Sequence, residues 1–189
     1  HTHEPETLEW IRSFAPGDAF WDVGANVGVY SFYAALAAGV KVVAFEPGAA
    51  NYHALNRNIR LNRMQDRVIA YCLAFSNRTE ISTLNLRDAE AGGDTNVYGE
   101  GPDSWGNAIK GVMRQGALGF AIDDFIARFG PPFPTHMKID VDGAEDMILA
   151  GAARTLADTR LKSLLVEFPD QTSARSRTMR QAIDGAGLT

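Results

Sequence analysis

The sequence predicts an α/β fold: a mostly parallel sheet with helices on both faces. Three observations carry this. Short apolar runs alternate with longer stretches of helical periodicity along most of the chain. The runs are apolar almost without interruption, as strands buried on both faces are. Glycine or proline follows several of the elements, as at Gly24, Gly39 and Pro47-Gly48.

The elements follow in order. Pro5 and Glu6 open a helix with Leu8, Ile11 and Phe14 on its apolar face, and Pro16-Gly17-Asp18 closes it. Ala19 to Val23 is a short strand entering Gly24. Val27 to Ala38 is apolar nearly all round, as a helix pressed on a sheet would be, and Gly39 stops it. Lys41 to Phe45 is a strand, Ala49 to Leu61 a helix, and Val68 to Phe75 the next strand, with Cys72 expected to be buried inside it. Ile81 to Leu86 is a further strand. Arg87 to Gly119 is rich in Gly, Asp and Asn and reads as a long loop that is either mobile or functional, with Tyr98, Trp105 and Asn107 as the residues that would frame a ligand. Ala121 to Phe129 is a helix, Met137 to Val141 a strand, Glu145 to Ala157 a helix, Leu161 to Phe168 a strand and Arg175 to Ala186 a last helix. No repeat or internal boundary divides residues 1–189, so one domain is expected.

Composition removes several function classes. The 189 residues carry a net charge of −5, against nucleic-acid binding by a broad basic surface. One cysteine excludes an internal disulfide and a Cys-rich zinc site. No run reaches the 18 or so apolar residues of a membrane span. His1-Thr2-His3-Glu4 lacks the order of a signal peptide, so a cytoplasmic setting is expected.

In a doubly wound sheet, ligands bind beyond the carboxyl ends of the strands. Asp22-Val23-Gly24-Ala25-Asn26-Val27-Gly28 joins the first strand to the next helix there. Gly24 permits a tight turn and close ligand approach, and Gly28 lets the helix start against the sheet. A glycine turn of this kind also occurs without a ligand. Glu46 strengthens the ligand reading. It ends the second strand 22 residues after Gly24, where an acid can accept hydrogen bonds from both hydroxyls of a ribose. Asp22 precedes the first glycine and suits an ammonium group, which nicotinamide dinucleotides lack and S-adenosylmethionine carries. Asp140 and Asp142 lie near the carboxyl end of a later strand, with Gly143 permitting a turn. Either can take a proton from an acceptor. Lys138 has an ion pair with Asp140 or a neighbouring acid as its ordinary role. Glu145 reads equally as a site acid and as a helix N-terminal acid. The histidines give no general base: His53 is behind the sheet, His136 is at the wrong strand end, and only His3 could fold over a ligand.

The sequence resembles the FkbM-type S-adenosylmethionine-dependent methyltransferases over most of its length. Asp22 to Ser31 resembles the family's first motif. Phe45-Glu46-Pro47, Asn51 and Asn58-Ile59-Arg60-Leu61-Asn62 resemble its second. Lys138 to Glu145, followed by Leu149-Ala150-Gly151-Ala152, is similar to its most characteristic one, with Asp142 where the family more often has Glu. The resemblance implies a Rossmann-like class I methyltransferase sheet. It places Asp22, Gly24, Asn26 and Gly28 along the methionine part of the cofactor and Glu46 on the ribose. Phe75 and Ser76 would border the adenine, with Asp140 and Asp142 near donor and acceptor. The expected activity is O-methylation of a hydroxyl on a small molecule, a sugar or natural product. The competing readings are a nicotinamide-dependent oxidoreductase and a non-catalytic nucleoside-binding module. A divalent ion on Asp140, Asp142 and Glu167 is the less favoured option, since no His or Asn is evidently placed to complete its shell. The fold usually ends in an antiparallel strand pair beside the fifth strand, and no segment here supplies it. The expectations are that the natural chain continues beyond Gly187-Leu188-Thr189, or that the exposed edge is covered by Ile81 to Leu86 or by a second copy.

Overall fold

The computed structural model describes residues 4–87, 90–93, 96–99, 113–169 and 172–186. His1, His3, Trp105, Asn107 and Gly187-Leu188-Thr189 lie outside the described residues. The elements in chain order are α1 (Pro5–Arg12), β1 (Ala19–Val23), α2 (Val29–Tyr33), β2 (Lys41–Phe45), α3 (Ala49–Leu61), β3 (Val68–Tyr71), β4 (Ala74–Phe75), β5 (Glu80–Leu86), β6 (Val97–Tyr98), β7 (Met113–Phe120), α4 (Ile122–Phe129), β8 (His136–Ile139), α5 (Glu145–Ala150), α6 (Ala153–Leu156), β9 (Ser163–Val166) and α7 (Ala174–Gly185). A π-helical turn, Ala34–Ala38, extends α2.

Five strands form a wholly parallel sheet in the order β3-β2-β1-β8-β9. Strand alternation between two covered faces explains why their sequences are apolar at most positions. Phe20, Val42 and Ala44 face one layer, packed with Ile11, Ala34, Ala35, Leu55 and Ile59 of the first three helices and the π turn. Trp21, Val43, Phe45, Met137 and Ile139 face the other, packed with Ile122, Phe125, Ile148, Leu149 and Met179 of the later helices. A strand covered on both sides has no position for a polar side chain except at its ends. The chain's chemistry is therefore driven to those ends.

A second sheet has the order β4-β7-β5-β6. β4 runs parallel to β7, while β5 pairs antiparallel with both β7 and β6. It corrects four expectations. Val68 to Phe75 is two strands rather than one, because the chain passes from the first sheet to the second across Cys72 and Leu73. Cys72 is consequently exposed, not buried in a strand. Part of the segment read as a loop over Arg87 to Gly119 is strand: β7 pairs with β5 from Met113 opposite Leu86 to Gly119 opposite Glu80. Because β5 belongs to this second sheet, it does not cover β9, whose neighbour among the described residues is β8.

The helix expected over Glu145 to Ala157 is likewise two. It breaks at Gly151, where a Cβ would stand 2.2 Å from the Ser76 carbonyl oxygen. Asp123 then caps α6, accepting hydrogen bonds from the backbone N–H groups of Arg154 and Thr155 at 2.8 and 2.9 Å.

Candidate active site

A cavity of about 480 Å³ opens at the carboxyl ends of β1, β2 and β8. The turn after β1 forms its floor. Gly24 and Ala25 both donate backbone hydrogen bonds to the Phe45 carbonyl, each at 3.0 Å. Gly24 has φ +83°, and a Cβ there would lie 1.9 Å from the Asp140 carbonyl oxygen. Only glycine fits both the conformation and the space. Gly28 is elsewhere: its missing Cβ makes room for Leu55 and Phe32, and it does not line the cavity.

Glu46 closes the next side. It is 5% exposed. Its Oε1 accepts from the Gly48 N–H at 2.8 Å and its Oε2 from the Asn26 N–H at 2.9 Å. Burial pushes its carboxyl up to about 7, although the N–H groups of Gly48 and Asn26 work the other way. A carboxylate has four acceptor positions. These two bonds leave capacity for a ligand's hydroxyls.

Asp22 is buried beneath the cavity rather than on its wall. Ser31 Oγ donates to its Oδ2 at 2.6 Å, and its Oδ1 is buried without a hydrogen-bond partner. Burial raises its pKa against the pull of Lys138. Lys138 is 1% exposed yet reaches the cavity. Its ammonium donates to Asp140 Oδ2 and sits 4.8 Å from the centre of the Tyr30 ring. Burial opposes that charge, but Asp22 and Asp140 outweigh it and hold the lysine protonated. The ion pair expected of Lys138 is present. Asp140 is correspondingly held below the ordinary carboxylate range, the Lys138 ammonium overcoming burial.

Asp142 and Glu167 complete the acidic side of the cavity. Glu145 does not belong to it. Its Oε1 accepts from the N–H groups of Val141 and Gly143, both at 3.3 Å, and its Oε2 pairs with Arg175 at 2.7 Å. It shapes the turn that carries Asp142. Phe75 lines the cavity with Leu73 and Leu84. Ser76 is buried outside it, its N–H bonded to the Phe120 carbonyl. Among the described residues, no group of three or more His, Cys, Asp or Glu side chains is arranged to hold a metal ion.

The sequence reading missed how the segment around Gly92 and Asn96 is tied down. Asn26 Nδ2 and Asn51 Nδ2 donate to the Gly93 carbonyl at 3.2 and 3.1 Å. Asn51 Oδ1 accepts from the Gly92 N–H at 2.8 Å, and Asp142 Oδ2 from the Asn96 N–H at 3.1 Å. Gly92, Gly93, Asn96 and Tyr98 thereby become cavity wall, and Glu4, just before α1, adds another acid. The amide oxygens of Asn26 and Asn96 are buried without hydrogen-bond partners.

The parallel sheet and its glycine turn match a known family. The family profile described as "Methyltransferase FkbM domain" covers residues 22–184, from the end of β1 to α7. The chain belongs to the FkbM methyltransferase family. The 31-O-demethyl-FK506 methyltransferase FkbM of Streptomyces tacrolimicus is 27% identical over 201 residues, which cover 92% of this chain and 74% of that protein. Among solved structures, the FkbM methyltransferase of Methylobacillus flagellatus KT aligns with a TM-score of 0.56 at 18% identity. That alignment covers 91% of this chain, which spans 36% of the solved one. The precorrin-6y C5,15-methyltransferase of Geobacter metallireducens GS-15 gives 0.51 at 14% identity, over 97% of this chain and 69% of that one. The solved FkbM and precorrin enzymes thus share the Rossmann-like fold. No helix among the described residues is long and apolar enough to cross a membrane.

Proposed function

We propose that this FkbM-family chain transfers a methyl group from S-adenosylmethionine to a hydroxyl of a small molecule. The observation that carries the reading is the charge and hydrogen-bond balance of the cavity. Its described lining holds five acids, Glu4, Glu46, Asp140, Asp142 and Glu167, against one cation, Lys138, which Asp140 already engages. The remaining acceptor positions of Glu46 add capacity for a ligand's donors. S-adenosylmethionine has a net positive charge and offers an ammonium, an adenine amine and two ribose hydroxyls as donors. The pyrophosphate of a nicotinamide dinucleotide would bring two negative charges to the same wall.

The residues divide the work. Glu46 would hold the ribose hydroxyls, and Phe75 would border the adenine. Asn26 and the backbone of the Gly24 turn would meet the methionine part. Asp22 acts from beneath, keeping Lys138 charged. Asp140 and Asp142 stand where donor and acceptor meet. When bound, the sulfonium supplies an already activated methyl group, so the protein's contribution is mainly alignment and exclusion of water.

Calorimetry of the Glu46→Ala variant tests this. S-adenosylmethionine should bind more weakly by about 1.5–3 kcal/mol, the range for hydrogen bonds to a charged group. A folded variant with unchanged affinity removes Glu46 from the site. Wild-type protein that binds NADH but not S-adenosylhomocysteine overturns the methyl-transfer reading.

A further inference from the structure

O-methylation must dispose of the acceptor's proton, and a group titrating near neutrality does this best. The two acids the sequence offers are differently committed. Asp140 is clasped by the Lys138 ammonium, which makes it a weak base. Asp142 Oδ2 holds the Asn96 backbone N–H in place. A third acid stands beside them. Glu167 follows β9 directly, and its backbone N–H donates to the Ile139 carbonyl at 3.2 Å. The β8–β9 register that pairs Ile139 with Val166 sets it next to Asp140, with both carboxyls on the cavity wall.

We propose that Glu167, set beside Asp140 on the cavity wall, is the proton acceptor of the transfer, and that the cationic methyl donor arms it by displacing its proton. The assignment rests on the O-methyl reading above. Two adjacent carboxyls resist double ionisation. Lys138 fixes the charge on Asp140, so the shared proton resides on Glu167. Partial desolvation and the neighbouring carboxyls of Asp140, Glu145 and Asp142 push Glu167 up to about 7. Arg175, the nearby cation on α7, is engaged by Glu145 and Asp146. A sulfonium entering the cavity offsets that crowding of negative charge. The proton then leaves to solvent, which the exposed Glu167 reaches. In the transfer, the bond from acceptor oxygen to methyl carbon forms as the carbon–sulfur bond breaks. The electron pair of that bond goes to sulfur and the hydroxyl proton to Glu167. The sulfonium charge and the carboxylate charge vanish together.

Calorimetry at pH 7, in buffers of different ionisation enthalpy, counts the protons released on binding. S-adenosylmethionine should release about half a proton more than the neutral thioether S-adenosylhomocysteine, since Glu167 is near half-protonated there. Glu167→Gln should abolish the difference, and Glu167→Asp should restore part of it. The same Gln variant should transfer methyl to a hydroxyl acceptor about 10²–10⁴-fold more slowly. Equal proton release for both ligands in the wild type, an unchanged difference in Glu167→Gln, or a wild-type transfer rate in that variant overturns the assignment. Failure of the wild type to bind either ligand overturns the methyl-transfer reading instead, and the assignment with it.

Discussion

At the amino ends of β1, β8 and β9, Asp18, His136 and Ser163 form a line of hydrogen bonds. At the carboxyl ends of β2 and β8, Glu46, Lys138 and Asp140 surround an open cavity. The lower cluster has the composition of a hydrolytic triad. His136 Nε2 lies 2.9 Å from Asp18 Oδ2, and its Nδ1 lies 2.7 Å from Ser163 Oγ. Yet each group there is already matched. Trp10 donates its indole N–H to Ser163 Oγ at 2.8 Å, and Lys162 and the Ala15 N–H donate to Asp18 at 2.7 and 2.8 Å. The Phe14 ring stacks on the imidazole at 3.8 Å. This cluster fastens α1 to the sheet. The upper end keeps unpartnered oxygens on Asp22, Asn26 and Asn96. Residue identity therefore does not separate the two ends. Unspent hydrogen-bonding capacity does.

The sharpest way to break the contrast is at the two glycine turns flanking α2 and its π-helical extension. Gly24→Ala should cost about 3 kcal/mol or more, combining a left-handed backbone with collision against Asp140. Gly39→Ala, at φ +69° with nothing within 4 Å, should cost only about 1 kcal/mol. Urea unfolding midpoints compare them, and equal losses would mean that the turn does not press on β8.

A second test uses pH. Glu46 titrates near 4.5 when unfolded and at about 7 in the fold. Between these values the folded state binds more protons. The contribution of Glu46 to the stability of the ligand-free protein is therefore fully present below about 4.5 and is lost as pH rises through 7, by on the order of 3 kcal/mol. Glu167 adds a slope of the same sign, so the measurement is the difference between wild type and Glu46→Gln. A variant with the wild-type slope would show that Glu46 is not strained by its burial.

The smallest effect is expected at the lower cluster. Ser163→Ala leaves the Trp10 N–H and His136 Nδ1 unmatched, at about 1–3 kcal/mol of stability. S-adenosylmethionine affinity should not change. A parallel loss of affinity would show that the two ends act as one unit.

What the sequence made legible follows the same physics. Ala19–Val23 and Lys41–Phe45 match their expected bounds because burial on both faces leaves a strong apolar pattern, and Ala49–Leu61 because Leu55 and Ile59 keep helical spacing on its one buried face. β7 left none: Met113-Arg114-Gln115-Gly116-Ala117-Leu118-Gly119-Phe120 contains two glycines, and several of its residues are exposed. Its order comes from pairing with β5. The Lys138–Asp140 pair was readable from two positions on one strand. The Asp140–Glu167 contact depends on the register between β8 and β9, which neither strand encodes alone. The tie of Gly92, Gly93 and Asn96 to Asn26, Asn51 and Asp142 involves small polar residues whose partners are far away in sequence.

The parallel pairing of β1 with β8 has a consequence for how the protein reaches its native state. Phe20 pairs with His136 and Val23 with Ile139 across 116 residues of chain. Such closure carries a large entropic penalty before any contact repays it, so it belongs among the slow steps of folding. The cavity lies across this seam, with the turn after β1 on one side and Asp140 on the other. A ligand that spans it binds only the closed form, so its concentration enters the folding equilibrium. In a cell short of that ligand, the seam would open more often, and a shortage of substrate would show itself as a shortage of folded protein.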